Sequence, residues 1–419
     1  MPEPIEPLAS EQPQQPHAPQ TQQQDTQQLP NDGQRPLRVL QVYRTYFPDP
    51  QGGLQEAIRQ ACLATHPHGI RHRIFTLSPR AEPRIIRRPE GLVYRANQHL
   101  EITSSGFSLS ALGPFRALVR WADIVHYHFP WPFADVLDLF GKVDKPRIIT
   151  YHSDIVRQQL WLRFYRPLMW HFLSQADRII ATSPAYAESS QVLQHYRAKL
   201  EIIPLGLDPT AYPRPSPRQR EAIEARFGHG YFLFVGVLRY YKGLDTLIQA
   251  AAGTSLKVVI AGDGPERARL QQLAHQAAPS NIQFAGIVSD AEKVALIRNC
   301  RGIVFPSNAR SEAFGITLLE GAMLKRPLIC TELGTGTSFV NQHNETGLVV
   351  QPNDPQGLRA AMLSLTTDPT RAEAFGSAAH ARFQQLFAAQ PLGQQLAALY
   401  RQLARPAVQA QAPAKKAKK

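Results

Sequence analysis

From Leu37 onward, short β-branched runs alternate with longer amphipathic segments, and the alternation starts afresh about half-way along the chain. The first series is Leu37–Tyr43, Arg73–Leu77, Ile124–His128, Arg147–Tyr151 and Arg178–Thr182. The second is Phe232–Val235, Leu256–Ala261, Ile282–Ala285, Gly302–Phe305, Leu328–Thr331 and Leu348–Val350. Such alternation predicts parallel βαβ units, and two series predict two doubly wound α/β sheets. The 419-residue length agrees, because single cores stop growing beyond ~250–300 residues. The expected domains are 35–208 and 209–390, joined at a Pro- and Arg-rich connection. A last helix over 391–404 follows, with its placement left open, crossing back included. Residues 1–34, rich in Gln and Pro, and the basic segment 405–419 lack hydrophobic periodicity and read as disordered tails.

Composition narrows the partners. The net charge is +13 and the pI about 9.8, which favours an anionic partner: nucleic acid, lipid head groups or a diphosphate. No recognition-helix, zinc-finger or RNA-binding signature accompanies the charge, which argues against nucleic acid. No apolar run of ~18 residues and no signal pattern is present, so the expected location is cytoplasmic. Cys62, Cys300 and Cys330 are scattered without CxxC spacing, and neither a disulfide framework nor a metal site is expected.

Open α/β sheets bind ligands beyond the carboxyl ends of their strands, so motifs there carry weight. After the run Ile303–Phe305 comes Ser311-Glu312-Ala313-Phe314-Gly315-Ile316-Thr317-Leu318-Leu319-Glu320. Gly315 opens a helix whose first N–H groups and dipole suit a diphosphate. Glu320, about a turn further in, suits a ribose diol, whereas Glu312 lies nearer a sugar. Phe234-Val235-Gly236-Val237-Leu238-Arg239-Tyr240-Tyr241-Lys242-Gly243 runs from a strand into a glycine-marked loop, and Arg239 and Lys242 are cations able to neutralise a leaving diphosphate. Gly52-Gly53 opens a helix after the first run, and His152 follows the fourth in Thr150-Tyr151-His152.

Glu312 and Glu320 are separated by seven residues, and in this order of motifs the chain resembles the retaining GT-B glycosyltransferases of family 4 over about residues 37 to 400. The resemblance implies two Rossmann-like domains facing across a cleft, and transfer of a hexose from a nucleotide diphosphate sugar without cofactor or metal. It implies His152 and Glu312 at the donor sugar. Gly52, Gly53, Arg239, Lys242, Phe314, Gly315, Ile316, Thr317 and Glu320 would hold the donor, with backbone near Val288 at the base. The family's Arg directly after the glycine is here Val237, so Arg239 stands two residues on. Ile203-Pro204-Leu205-Gly206 resembles the family's interdomain connection.

Within the family, the segments Leu238–Gly243 and Glu332–Asn341 look most like bacterial mannosyl- and rhamnosyltransferases of lipopolysaccharide O-antigen assembly. That implies a GDP-linked donor and a saccharide or polyprenyl-diphosphate-linked acceptor. Ile155–Phe172, with Arg157, Arg163 and Arg166 among Trp161, Phe164, Tyr165 and Trp170, and Phe107–Trp121, with Arg116 and Arg120, suit peripheral contact with an anionic membrane. Ordinary core packing explains the same aromatics. The rival functions are a GT-B sugar-nucleotide epimerase, a sucrose-type synthase and, outside enzymes, a basic nucleic-acid-binding protein.

Overall fold

A computed structural model describes residues 35–404 except 50–51, 103–104, 156–158 and 279. The tails expected at 1–34 and 405–419, and Arg157, lie outside the described residues, as does the Trp161 side chain. Sixteen strands are described. The first sheet comprises β1 (Leu37–Val42), β2 (Ile70–Ser78), β3 (Ile85–Arg88) and β4 (Gly91–Asn97), then, after a separate hairpin of β5 (Leu100–Ile102) and β6 (Ser105–Phe107), β7 (Ile124–Phe129), β8 (Arg147–Tyr151), β9 (Arg178–Ala181) and β10 (Leu200–Ile202). Its order is β10-β9-β8-β7-β1-β2-β4-β3, parallel except where β3 meets β4. The second sheet runs β13-β12-β11-β14-β15-β16, from β11 (Phe232–Val235), β12 (Val258–Ala261), β13 (Ile282–Gly286), β14 (Gly302–Phe305), β15 (Leu328–Thr331) and β16 (Gly347–Val350). All its pairs are parallel, in the Rossmann order.

Strand order reverses between β1 and β7 in one sheet and between β11 and β14 in the other, and a crevice opens beyond each switch point. The central strands are apolar because helices cover both faces; every residue of β7 is buried. β3 escapes the sequence pattern for the converse reason. β3 is an edge strand reading Ile-Ile-Arg-Arg, with no fully buried position, so it lacks the apolar run that marks an interior strand.

The last helix, Ala389–Ala404, crosses back to the first sheet. Its Leu396, Ala397, Leu399 and Tyr400 share one core with Val39, Ile70, Ile124, Ile148 and Ile180 of β1, β2, β7, β8 and β9. The two chain crossings run side by side: Leu207 donates to the Phe387 carbonyl at 3.0 Å and Ala389 donates back to Leu207 at 3.1 Å.

The proposed membrane-facing aromatics divide. Phe115 is fully buried, Trp121 is covered by the Arg73 guanidinium 4.2 Å from its ring, Tyr165 donates to Asp135, and Trp170 packs on His195 and Tyr196. Phe164 stands 80% exposed. Among the described residues no helix is long and apolar enough to cross a membrane.

Candidate active site

The β11 and β14 loops meet at the second switch point. Gly243, with φ of 65°, caps the helix Leu244–Ala251, and a Cβ there would collide with the carbonyl of Pro306, so only glycine lets the loops close up. That approach brings the Lys242 ammonium onto the Glu312 carboxylate, to which Ser307 also donates at 3.1 Å. The lysine lies 4.7 Å from the centre of the Phe305 ring. Burial pulls the Lys242 ammonium down, but Glu312 and Tyr241 together outweigh it and the net shift is upward. Lys242 is therefore no surface cation, as a loop position suggests, but half of an enclosed ion pair. Arg239 lies close enough to act on Lys242 electrostatically, and among the described residues no carboxylate pairs with it.

Gly315 caps the helix Ile316–Met323, all of which is buried. Thr317 spends its hydroxyl on the Val235 carbonyl at 3.0 Å, which ties the helix start to the end of β11. The Phe314 side chain packs against Phe387 inside the core, so what this segment offers a ligand is backbone. Glu320, 3% exposed, accepts from Lys293 at 2.7 Å and Tyr212 at 3.1 Å. Lys293 also reaches Asp290 at 3.0 Å. Val288 follows β13 beside Ile287, which is 81% exposed.

The first domain closes on this helix. A Cβ on Gly53 would stand 3.3 Å from Cγ1 of Ile316, so the starts of helices Gly53–Thr65 and Ile316–Met323 face each other across the cleft. The loop before Gly53 is held by Asp49, which pairs with Arg95 at 3.0 Å. A further bridge spans the domains: Arg310 donates to Asp154 at 3.3 Å and to Ser189 at 3.0 Å.

His152 lies at the end of β8, donating its backbone N–H to Phe129 at 2.9 Å, with its ring 2.9 Å from that of His128. His126 bonds Tyr400 and Thr150, each at 2.7 Å. Burial drives His126 and His152 down to about 3 and holds His128 well below its ordinary value, so all three rings are neutral. Among the described residues no group of three or more His, Cys, Asp or Glu is placed to hold a metal.

The description "Glycosyl transferases group 1" matches residues 216–382, and "Glycosyltransferase Family 4" matches 51–211. The chain is 47% identical over 353 residues to D-rhamnosyltransferase WbpZ of Pseudomonas aeruginosa, covering 84% of this chain and 93% of that one. The chain belongs to the group 1 glycosyltransferases. A second relative of this glycosyltransferase, O-antigen chain mannosyltransferase C of Escherichia coli, is 44% identical over 84% of this chain and 95% of its own. The fold is that of sucrose-phosphate synthase from Thermosynechococcus elongatus, with TM-score 0.74 and 21% identity over 88% of this chain and 99% of that one. This is a GT-B enzyme that transfers a hexose from a nucleotide-sugar donor to a saccharide acceptor. The epimerase, sucrose-synthase and nucleic-acid readings are not favoured.

The sequence motifs converge on one cleft, since Gly53, Lys242, Glu312 and Ile316 sit at facing loop and helix starts. Lys293, Tyr212, Arg310 and Asp154 were missed. Each is a single polar residue in an ordinary segment, and only the fold supplies its partner.

Proposed function

We propose that this glycosyltransferase moves mannose or rhamnose from a GDP-linked donor, with retention at the anomeric carbon, onto a saccharide carried by a polyprenyl diphosphate in O-antigen or related cell-envelope assembly. The observation that carries this reading is Arg239, a cation without a carboxylate partner, set beside the Lys242–Glu312 pair and the helix opening at Ile316. A diphosphate leaving from there gains two cations and a helix N-terminus, and needs no metal. The C1–O bond to the diphosphate breaks as the acceptor oxygen attacks the same face, and the hydroxyl proton passes to the departing phosphate. Glu312 acts at the sugar, Glu320 at the ribose and Val288 at the base. The relatives' names support the two sugars and the O-antigen setting.

The acceptor reaches the enzyme at the inner face of the cytoplasmic membrane. Three helices pack side by side, Leu112–Trp121, Pro132–Gly141 and Gln159–Ser174, and expose Phe140 and Phe164 with Arg120, Arg163 and Arg166. Product analysis with a panel of GDP- and UDP-sugars and a lipid-diphosphate saccharide tests the assignment. Transfer from GDP-mannose or GDP-rhamnose with an α-linked product is expected; transfer from UDP-sugars alone would overturn it.

A further inference from the structure

A continuous hydrogen-bonded chain runs through the interior of the first domain. Thr65 Oγ1 lies 2.7 Å from His72 Nε2, and His72 Nδ1 lies 3.2 Å from Gln41 Nε2. Gln41 Oε1 lies 2.8 Å from His128 Nε2, and His128 Nδ1 lies 2.9 Å from His152 Nε2. Gln41 Nε2 also reaches Tyr400 at 3.2 Å, and through that hydroxyl the branch to His126 and Thr150.

Every ring here is buried and neutral, His72 included, whose burial takes it to about 3. Each imidazole therefore carries one N–H and one lone pair, and fixing one end fixes them all. Thr65 is that end. Its hydroxyl lies 2.8 Å from the Ala61 carbonyl and 3.1 Å from the Cys62 carbonyl, oxygens that only accept, so its single proton points to the helix backbone. His72 must then donate from Nε2 and accept at Nδ1 from the Gln41 amide. The Gln41 carbonyl accepts from Nε2 of His128, whose Nδ1 accepts from Nε2 of His152.

We infer that Thr65, His72, Gln41 and His128 are positioning residues that hold His152 as its Nε2–H tautomer and so present an unprotonated Nδ1 to the donor sugar. Among the described residues nothing bonds that nitrogen, and His152 lines a small cavity of about 50 Å³, room for a hydroxyl group rather than a whole sugar, with His126, His128, Thr150 and the connection at Pro204–Gly206. An acceptor-only nitrogen takes a sugar hydroxyl, which donates. It disfavours a carboxylate or an ether oxygen, which cannot, and the selected donors are neutral hydroxylated sugars rather than uronic acids. This rests on the reading that His152 lies at the donor sugar.

The test is two-bond proton–nitrogen NMR on the full chain labelled with ¹⁵N-histidine, His152 being assigned by comparison with His152→Gln. Wild type is expected to show His152 protonated at Nε2. Thr65→Val keeps the shape but removes the oxygen. The amide of Gln41 then does best reversed, and His152 should appear protonated at Nδ1, with donor kcat/KM down by ~10-fold. Thr65→Ser should restore both signals. An Nδ1–H tautomer in wild type overturns the inference even if no variant folds, and so does an unmoved tautomer in folded Thr65→Val. Wild-type kinetics in His152→Ala would instead sink the placement of His152 at the sugar, while leaving the proton order measured.

Discussion

Lys242 and Glu312 lie 70 residues apart and form an ion pair with both side chains 11% exposed, at the switch point of the second sheet. Breaking such a pair strands a buried charge, which costs roughly 3–5 kcal/mol. Lys242→Ala should therefore lower the melting temperature as well as kcat, the latter by ~10²-fold. Glu312→Ala in the same background should cost little more stability, because the stranded carboxylate is gone. Thermal melts of both single variants and the double variant give the coupling, and strict additivity would show that the pair carries no stability.

The two glutamates should leave different kinetic traces. Glu320→Gln keeps an acceptor for Tyr212 and Lys293 but weakens a group that holds the ribose throughout, so donor KM should rise ~10-fold with kcat little changed. Glu312→Gln should act mainly on kcat, by ~10²-fold, because charge develops beside it as the diphosphate leaves. Steady-state kinetics in donor, with acceptor saturating, separate the two, and equal patterns would refute the division of roles.

Much of this was legible beforehand, for identifiable reasons. Strand periodicity predicted eleven of the described strands, because buried parallel strands announce themselves as apolar runs. Lys242, Gly243, Gly53 and Glu312 stood out because each follows a strand in its motif. Pairings did not. Nothing in Arg310 points to Asp154, and His72, in Ile-Arg-His-Arg-Ile, looks like any residue of an alternating strand. Its partner Gln41 arrives from β1 and in turn reaches Tyr400, 359 residues beyond Gln41.

Acid should unfold the first domain early. His72, His126 and His152 are held at about 3, below the ordinary value of 6.5, so the folded state binds fewer protons than the unfolded one between those limits. Stability is then complete above about pH 6.5 and is lost as pH falls, by up to roughly 1.4 kcal/mol per pH unit for each ring. Urea midpoints measured at about pH 7.5, 6 and 5 should drop steeply, and a flat profile would mean that the rings titrate normally.

A methyl group at the cleft should impair turnover without harming the fold. Gly53→Ala places its Cβ 3.3 Å from Ile316 Cγ1, while alanine is the better helix former. The expected result is a higher melting temperature with donor kcat/KM reduced ~10-fold, read from melts and kinetics together. Unchanged kinetics would mean that the helices need not approach this closely.

Transfer should survive chelation. If Arg239, Lys242 and the helix at Ile316 neutralise the leaving diphosphate, EDTA should alter the rate by less than ~2-fold. Loss of activity in EDTA that manganese restores would contradict the proposal.

The return of Ala389–Ala404 to the first sheet also governs how the protein is made. Val39, Ile70, Ile124, Ile148 and Ile180 are translated before the second domain, but Leu396, Ala397, Leu399 and Tyr400, which complete their core, are translated only after it. The first domain therefore leaves the ribosome with an uncovered apolar face and waits for the second domain to be translated before it can close. A transcript cut short before Ala389 yields a domain exposed to chaperones and proteases, however complete its own sheet.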